Sequence, residues 1–180
     1  MKFKVTPQSI PDVLLIEPTV YADDRGYFKE SYNLKDFEEF LPGVKFVQDN
    51  ESKSSRGVLR GLHFQKPPHA QAKLIRVIQG SIWDVAVDIR PHSPTFKQYC
   101  FAEITAENHF QFFVPRGFAH AFIVTSETAI VQYKTDNFYA PESDAGIHAH
   151  DPELAIPWPI ARREHLLSKK DSELPNFLDL

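Results

Sequence analysis

Short apolar segments recur between turn signals from one end of this chain to the other, and that spacing restricts it to an all-β sandwich or barrel. Strands are expected at Val13 to Glu17, Val44 to Gln48, Val58 to Phe64, Leu74 to Ile78, Ile82 to Ile89, Tyr99 to Ile104, Phe110 to Val114, His120 to Thr125 and Thr128 to Lys134. Gln79-Gly80-Ser81 reads as a hairpin turn, and Pro115-Arg116-Gly117 as a second turn. In the segment after Gly80, Trp83, Val85, Val87 and Ile89 alternate with Ile82, Asp84, Ala86 and Asp88. The second set is mixed in polarity, so its face either lines a cavity or meets solvent. Asn33 can cap a short helix in which Leu34, Phe37 and Leu41 share one face, and Ala161 to Leu167 has helical potential. Fifteen Phe, six Tyr and two Trp suit a packed β core, and 14 Pro against 7 Gly suit many Pro-marked turns. At 180 residues, with no linker or repeat, residues 1–180 are expected to form one domain.

The same composition excludes several function classes. A formal charge of −4 gives no support for a nucleic-acid-binding surface, which needs a basic stripe. Residues 1–13 lack the apolar core of a signal peptide, and no stretch approaches a membrane-spanning helix. Cys100 is the only cysteine, which rules out an internal disulfide framework and fits a reducing compartment. The expectation is a soluble, cytoplasmic protein.

Polar residues concentrate in four segments: Asp23 to Glu30, Gln48 to Ser52, Arg60 to Gln65 followed by Lys73, and Pro115 to His120 followed by Tyr133-Lys134. Singly, each has an ordinary structural explanation: a hydrogen-bonded strand histidine, a surface ion pair, a core tyrosine, a turn. Together they place a base, a proton donor and several cations within one predicted sheet.

Seven runs then resemble the dTDP-4-dehydrorhamnose 3,5-epimerase family, in order and over nearly the whole chain. They are Asp24 to Phe28, Phe46 to Asn50, Gly57 to Gln65, Val85 to Arg90, Pro115 to His120, Tyr133 to Thr135, and Ile156 to Pro159. The resemblance implies a cupin-type antiparallel jelly-roll barrel with short flanking helices, usually a homodimer. It implies a cofactor-free isomerase that converts dTDP-4-dehydro-6-deoxy-D-glucose to dTDP-4-dehydro-L-rhamnose, the precursor for rhamnose synthesis. A ketone at C4 acidifies the protons on C3 and C5, and inversion needs a base on one face of the ring and an acid on the other. The family pattern puts the base at His63 and the acid at Tyr133. It puts Lys73 near the developing O4 charge and Asp171, in Leu167-Ser168-Lys169-Lys170-Asp171, where it orients His63. Arg25 and Arg60 match positions for the diphosphate, with Lys170 contributing. Glu30, Gln48, Asp49 and Asn50 match positions at the nucleotide, His120 a position near the sugar, and Asp144 a weaker one.

Two features depart from this scheme. Strict strand alternation sets Arg60 and His63 on opposite faces, unless a bulge at Gly61 redirects one of them or one serves a neighbouring subunit. Gly146-Ile147-His148-Ala149-His150-Asp151-Pro152 lacks the Arg and Trp that the family commonly carries there, which bears on local contacts near the site or an interface. Three alternatives remain open at this level: an epimerase of C3 or C5 only, a metal-dependent cupin, and a non-catalytic sugar-nucleotide-binding module. Against the metal, His63, His69, His120, His148 and His150 include no compact His-x-His with a following Glu in a strand.

Overall fold

The structure, a computed structural model, describes residues 2–180. Thirteen strands and two short helices follow in chain order: β1 (Phe3–Pro7), β2 (Leu14–Pro18), β3 (Val20–Asp23), β4 (Gly26–Lys29), α1 (Leu34–Glu38), β5 (Gln48–Ser55), β6 (Leu59–Gln65), β7 (Lys73–Gln79), β8 (Ser81–Asp88), β9 (Tyr99–Thr105), β10 (Gln111–Val114), β11 (Phe118–Val124), β12 (Thr128–Thr135), β13 (Asp144–Gly146) and α2 (Lys169–Ser172). One sheet has six strands in the order β1-β2-β10-β7-β12-β5, and a second has five in the order β13-β6-β11-β8-β9. All pairings within them are antiparallel. The two sheets pack face to face as a cupin-type jelly roll, and β3 and β4 form a separate two-stranded ribbon.

Alternation explains the core. Ile75 and Val77 of β7, Val131 of β12, and Phe112 and Val114 of β10 point inward from the six-stranded sheet. They meet Ile82 and Ala86 of β8, Cys100 and Ile104 of β9, and Phe118 and Phe122 of β11. The opposite faces are also covered. Phe37 and Leu41 close over the first sheet beside Leu74 and Phe113. Residues of the C-terminal third close over the second, where Leu62, Val85 and Ala121 meet Ile147, Leu154 and Phe177. Both faces of β8 are therefore buried, and Asp84 and Asp88 are fully enclosed instead of meeting solvent.

Four sequence expectations are corrected. Gln79-Gly80-Ser81 is not a hairpin: β7 pairs with β10 and β12 while β8 pairs with β11 and β9, so the chain crosses between sheets there. With both edges of each strand taken, neither can pair with the other. Gly80 (φ +79°) makes the corner, and a Cβ there would lie 2.0 Å from the Thr128 carbonyl oxygen. Val44 to Val47 forms no strand, with Val44 N–H bonded to Leu41 O and Val47 N–H to Thr135 O, because Val44 and Phe46 pack under α1 and strand pairing begins at Gln48. Asn33 does cap α1 and Phe37 and Leu41 are buried, but Leu34 is 44% exposed and leaves that face. Ala161 to Leu167 holds only one 3-10 turn, Arg162–Glu164, which buries no residue. Backbone pairing wins instead: Leu166 N–H bonds to Gly57 O, and Leu59 N–H to Leu166 O. Gly57 admits this approach, since a Cβ on it would sit 2.3 Å from Glu164 O.

Candidate active site

The register of β6 against β11 decides which side chains enter the barrel. His63 lies opposite His120, and Arg60 opposite Phe122, so three steps on β6 match two on β11. The extra residue is a bulge at Gly61, whose φ is +115° and whose absent Cβ would meet His120 O at 2.5 Å. Arg60 and His63 therefore share the inner face, and no second subunit is needed to explain their alternation.

His63, Lys73 and Tyr133 line one open cavity of about 320 Å³ with Gln48, Asn50 and Asp144. His63 comes from β6 in one sheet, Tyr133 and Lys73 from β12 and β7 in the other, so the imidazole and the phenol project from opposite walls. Asn50 pairs with Tyr133 in register and shares its inward direction. Asp49 pairs with Lys134, points outward and bonds to the Lys134 ammonium at 2.8 Å. Asp49 was expected at the nucleotide; strand alternation removes it from this cavity.

Asp171 comes from the tail. Ser168 caps α2 by accepting the Asp171 N–H at 3.0 Å, and this turn aims the Asp171 carboxylate at His63, Oδ1 to Nε2 2.5 Å. Burial opposes ionisation of Asp171, but hydrogen bonds from His63 and Ser168 and the charge of Lys170 outweigh it and hold the carboxyl below its usual range. Burial raises the Tyr133 phenol, against the opposing charge of Arg60, so it stays protonated and able to donate. Lys73 is lowered to about 8, first by removal from water, with Asp84 and Asp144 pulling it back up. Its ammonium donates to His63 O at 3.3 Å. At the cavity wall, Lys170 and the Tyr139 hydroxyl both bond to Asp144 Oδ2.

His120 lies beneath this floor. It is 7% exposed and bonds through Nε2 to Asp84 Oδ1 at 2.5 Å. Arg60 also stands just outside the cavity lining, bonded through Nε to Ser54 Oγ at 3.0 Å and close enough to act on Tyr133. Arg25 and Glu30 do not join the cavity of their own chain. Arg25, on the β3–β4 turn, pairs with Asp23, and Glu30 pairs with Lys2.

Asp84, Gln71 and Tyr139 were not expected at the site. Asp84 had a signal, an acid between Ile82 and Ala86 on the inward face of β8, whereas Gln71 and Tyr139 sit in loops with none. Gln65 shapes the rim: its amide donates to His69 O and Phe138 O, and its carbonyl accepts from Ala140 N–H. The unusual His148-Ala149-His150 stretch is not part of the cavity lining. It meets the tail, where His150 Nε2 lies 2.7 Å from His165 Nδ1 and the Trp158 indole donates to Ala149 O. Among the described residues no group of three or more His, Cys, Asp or Glu is arranged to hold a metal ion, and no helix is long and apolar enough to cross a membrane.

A carboxylate-held imidazole facing a protonated phenol across a cavity can take a proton on one side and give one on the other. Comparison with known proteins agrees with that chemistry. The family model described as dTDP-4-dehydrorhamnose 3,5-epimerase matches residues 7–179. The Pseudomonas aeruginosa enzyme of that name is 52% identical over 177 residues, which span 98% of this chain and 97% of the relative. The crystal structure of the Elizabethkingia anophelis enzyme superposes with a TM-score of 0.94 at 52% identity, covering 99% of this chain and 98% of the other. The Legionella pneumophila epimerase, solved in complex with dTDP-4-keto-L-rhamnose, has a TM-score of 0.94 at 45% identity and covers 98% and 93%. The chain belongs to the dTDP-4-dehydrorhamnose 3,5-epimerase family.

Proposed function

We propose that this chain, as one domain over residues 1–180, inverts C3 and C5 of dTDP-4-dehydro-6-deoxy-D-glucose to give dTDP-4-dehydro-L-rhamnose. The observation that carries this reading is the projection of His63 and Tyr133 from opposite sheets into one cavity. His63 takes the proton from C3 or C5, and Asp171 holds the ring and stabilises its charged form. The electrons move to O4, where the Lys73 ammonium stabilises the enolate. Tyr133 returns a proton from the opposite face. Gln48 and Asn50 shape the nucleotide end, Arg60 and Lys170 meet the diphosphate, and His120 and Asp144 support the sugar end. Every step uses side chains alone.

Arg25 and Glu30 enter this proposal through a second copy of the chain. The β3–β4 ribbon is exposed and aromatic, with Tyr21, Tyr27 and Phe28 each at least 60% accessible. Such a surface fits burial in a homodimer that carries Arg25 to the partner's diphosphate. Mixing Arg25→Ala with His63→Ala subunits tests this: hybrid dimers contain one complete site, so activity returns on mixing. No return removes Arg25 from the site. A cytoplasmic location is part of the same reading, supported by the single buried free Cys100.

The test of the reaction is solvent deuterium exchange with the 4-keto sugar nucleotide, read by NMR. Wild-type protein exchanges and inverts both carbons. Tyr133→Phe retains exchange, because His63 can return the proton to the face it came from, while inversion falls about 10²–10⁴-fold. Inversion at the normal rate in Tyr133→Phe makes another group the acid. Exchange and inversion at a single carbon in wild-type protein replaces this reading with a C3-only or C5-only epimerase.

A further inference from the structure

Beneath the cavity floor, Asp84 is a buried acid without a cation bonded to it. Its side chain is fully enclosed, Oδ1 receives the His120 Nε2–H at 2.5 Å, and Oδ2 has no hydrogen-bond partner among the described residues. An ionised carboxylate in that position is costly unless a positive charge compensates it. His120 does not provide one: burial lowers its pKa and favours the neutral ring, against the pull of Asp84 itself. The neighbouring Cys100 on β9 is neutral, since burial pushes the thiol up to about 12 and the charge of Asp84 adds to that rise.

Of the other cations nearby, Arg60 is bonded to Ser54 Oγ and Lys170 to Asp144, which leaves Lys73. The titratable groups acting at this end of the cavity are few. His63 of β6 offers Lys73 only its backbone carbonyl, at 3.3 Å. Tyr133 of β12 is a protonated phenol, and β5 brings only the uncharged Gln48 and Asn50. Asp144 of β13 is already bonded to Lys170 and to the Tyr139 hydroxyl. Asp84 is the carboxylate whose charge is not otherwise matched, and its electrostatic effect on Lys73 is the largest that opposes loss of the ammonium.

We propose that Asp84 is a positioning residue that acts through Lys73, its buried carboxylate serving as the counter-charge that keeps the Lys73 amine an ammonium in the cavity. The inference rests on the assignment of Lys73 to the enolate oxygen for its catalytic meaning. The coupling itself is a property of the free protein. It gives the β8 acid a task distinct from that of Asp171: one carboxylate serves the proton-taking base, the other the charge-stabilising cation. A neutral amine at position 73 could donate a hydrogen bond but could not oppose a full negative charge at O4.

Coupling is reciprocal, so it is readable from either partner in unmodified protein. In ligand-free wild-type protein, the Lys73 13Cε resonance is expected to titrate near pH 8, and the Asp84 13Cγ resonance to inflect at the same midpoint. An Asp84 signal that stays flat while Lys73 titrates overturns the proposal without any variant having to fold. In Asp84→Asn, the Lys73 midpoint should fall by about one unit or more, a tenfold or greater change in its acid constant. The alkaline limb of kcat/KM should fall with it while dTDP affinity holds. Lys73→Arg should lack that limb, and adding Asp84→Asn to it should not bring the limb back, since guanidinium does not titrate there. An unmoved Lys73 midpoint in Asp84→Asn also overturns the proposal. Loss of wild-type activity on the 4-keto sugar would remove the substrate assignment and leave the NMR coupling intact, so the two failures are distinguishable.

Discussion

The second sheet sets two histidines side by side, each paired with an aspartate, and the pairs are built for opposite ends. His63 and His120 face each other in register on β6 and β11, each with Nε2 2.5 Å from a carboxylate oxygen. The His63 side chain is 33% exposed at the cavity, and its partner Asp171 arrives from a one-turn helix of the tail. The His120 side chain is 8% exposed, and its partner Asp84, on the interior strand β8, has a side chain with no exposure at all. The same two groups at the same distance thus make a ring open to a substrate in one case and a ring held neutral by burial in the other. Access and desolvation, not the bond, decide what each histidine can do.

The largest expected effect separates the pairs by chemistry. His63→Ala removes the proposed base, and exchange at both C3 and C5 should fall by about 10²–10⁴-fold or more. His120→Gln keeps a donor for Asp84 and leaves the base in place, so it should retain far more exchange than His63→Ala. The deuterium assay reads both. Equal loss in the two variants would break the comparison, because it would give the buried pair a direct part in proton transfer.

The sequence carried the two pairs unequally. His63 and Asp171 are 108 positions apart, and only the family pattern joined them; no periodicity predicts that a capped turn at Ser168 folds back onto β6. Asp84 was visible as an acid on a face shared with Ile82 and Ala86, but its partner was not, because strand pairing across β8 and β11 is non-local. Most strands were legible from alternation, which is a local property. Sheet membership was not: Gly80 looks the same in a hairpin and in a corner, and the edges occupied by distant strands make the difference. Arg25 was joined to the site only by the family pattern, and nothing in its own fold carries it to the cavity.

A smaller effect tests how the pairs come to face one another. Gly61 provides the bulge that turns both Arg60 and His63 inward, and its φ of +115° suits glycine alone. Gly61→Ala adds a Cβ 2.5 Å from His120 O and 2.7 Å from the Ala121 Cβ. Backbone strain of this kind costs about 1–3 kcal/mol, so thermal unfolding should begin several degrees lower. Folded Gly61→Ala protein should also lose activity beyond that loss of stability, because His63 shifts relative to Tyr133. A variant that is destabilised yet fully active would show that the alignment tolerates a changed bulge.

The smallest effect comes from a third histidine contact, one with no carboxylate. His150 meets His165, and its pKa is lowered to about 4 by burial first, then by the charges of Arg162, His165 and His148. An unfolded histidine takes up its proton near pH 6.5. Between that value and about 4, the unfolded chain binds a proton at this residue that the folded one refuses. Stability from this residue is therefore present above about pH 6.5 and declines as the pH falls through the window. His120, also lowered, adds a decline in the same direction, whereas Asp171, a lowered carboxyl, contributes above about pH 4 and loses its share below that. His150→Gln removes one of these terms. Denaturant midpoints measured at pH 7.5 and pH 5 should lie closer together in the variant than in wild-type protein. If the gap is unchanged, the tail contact through His165 does not sense protons, and the acid sensitivity of the fold belongs to the buried His120 pair.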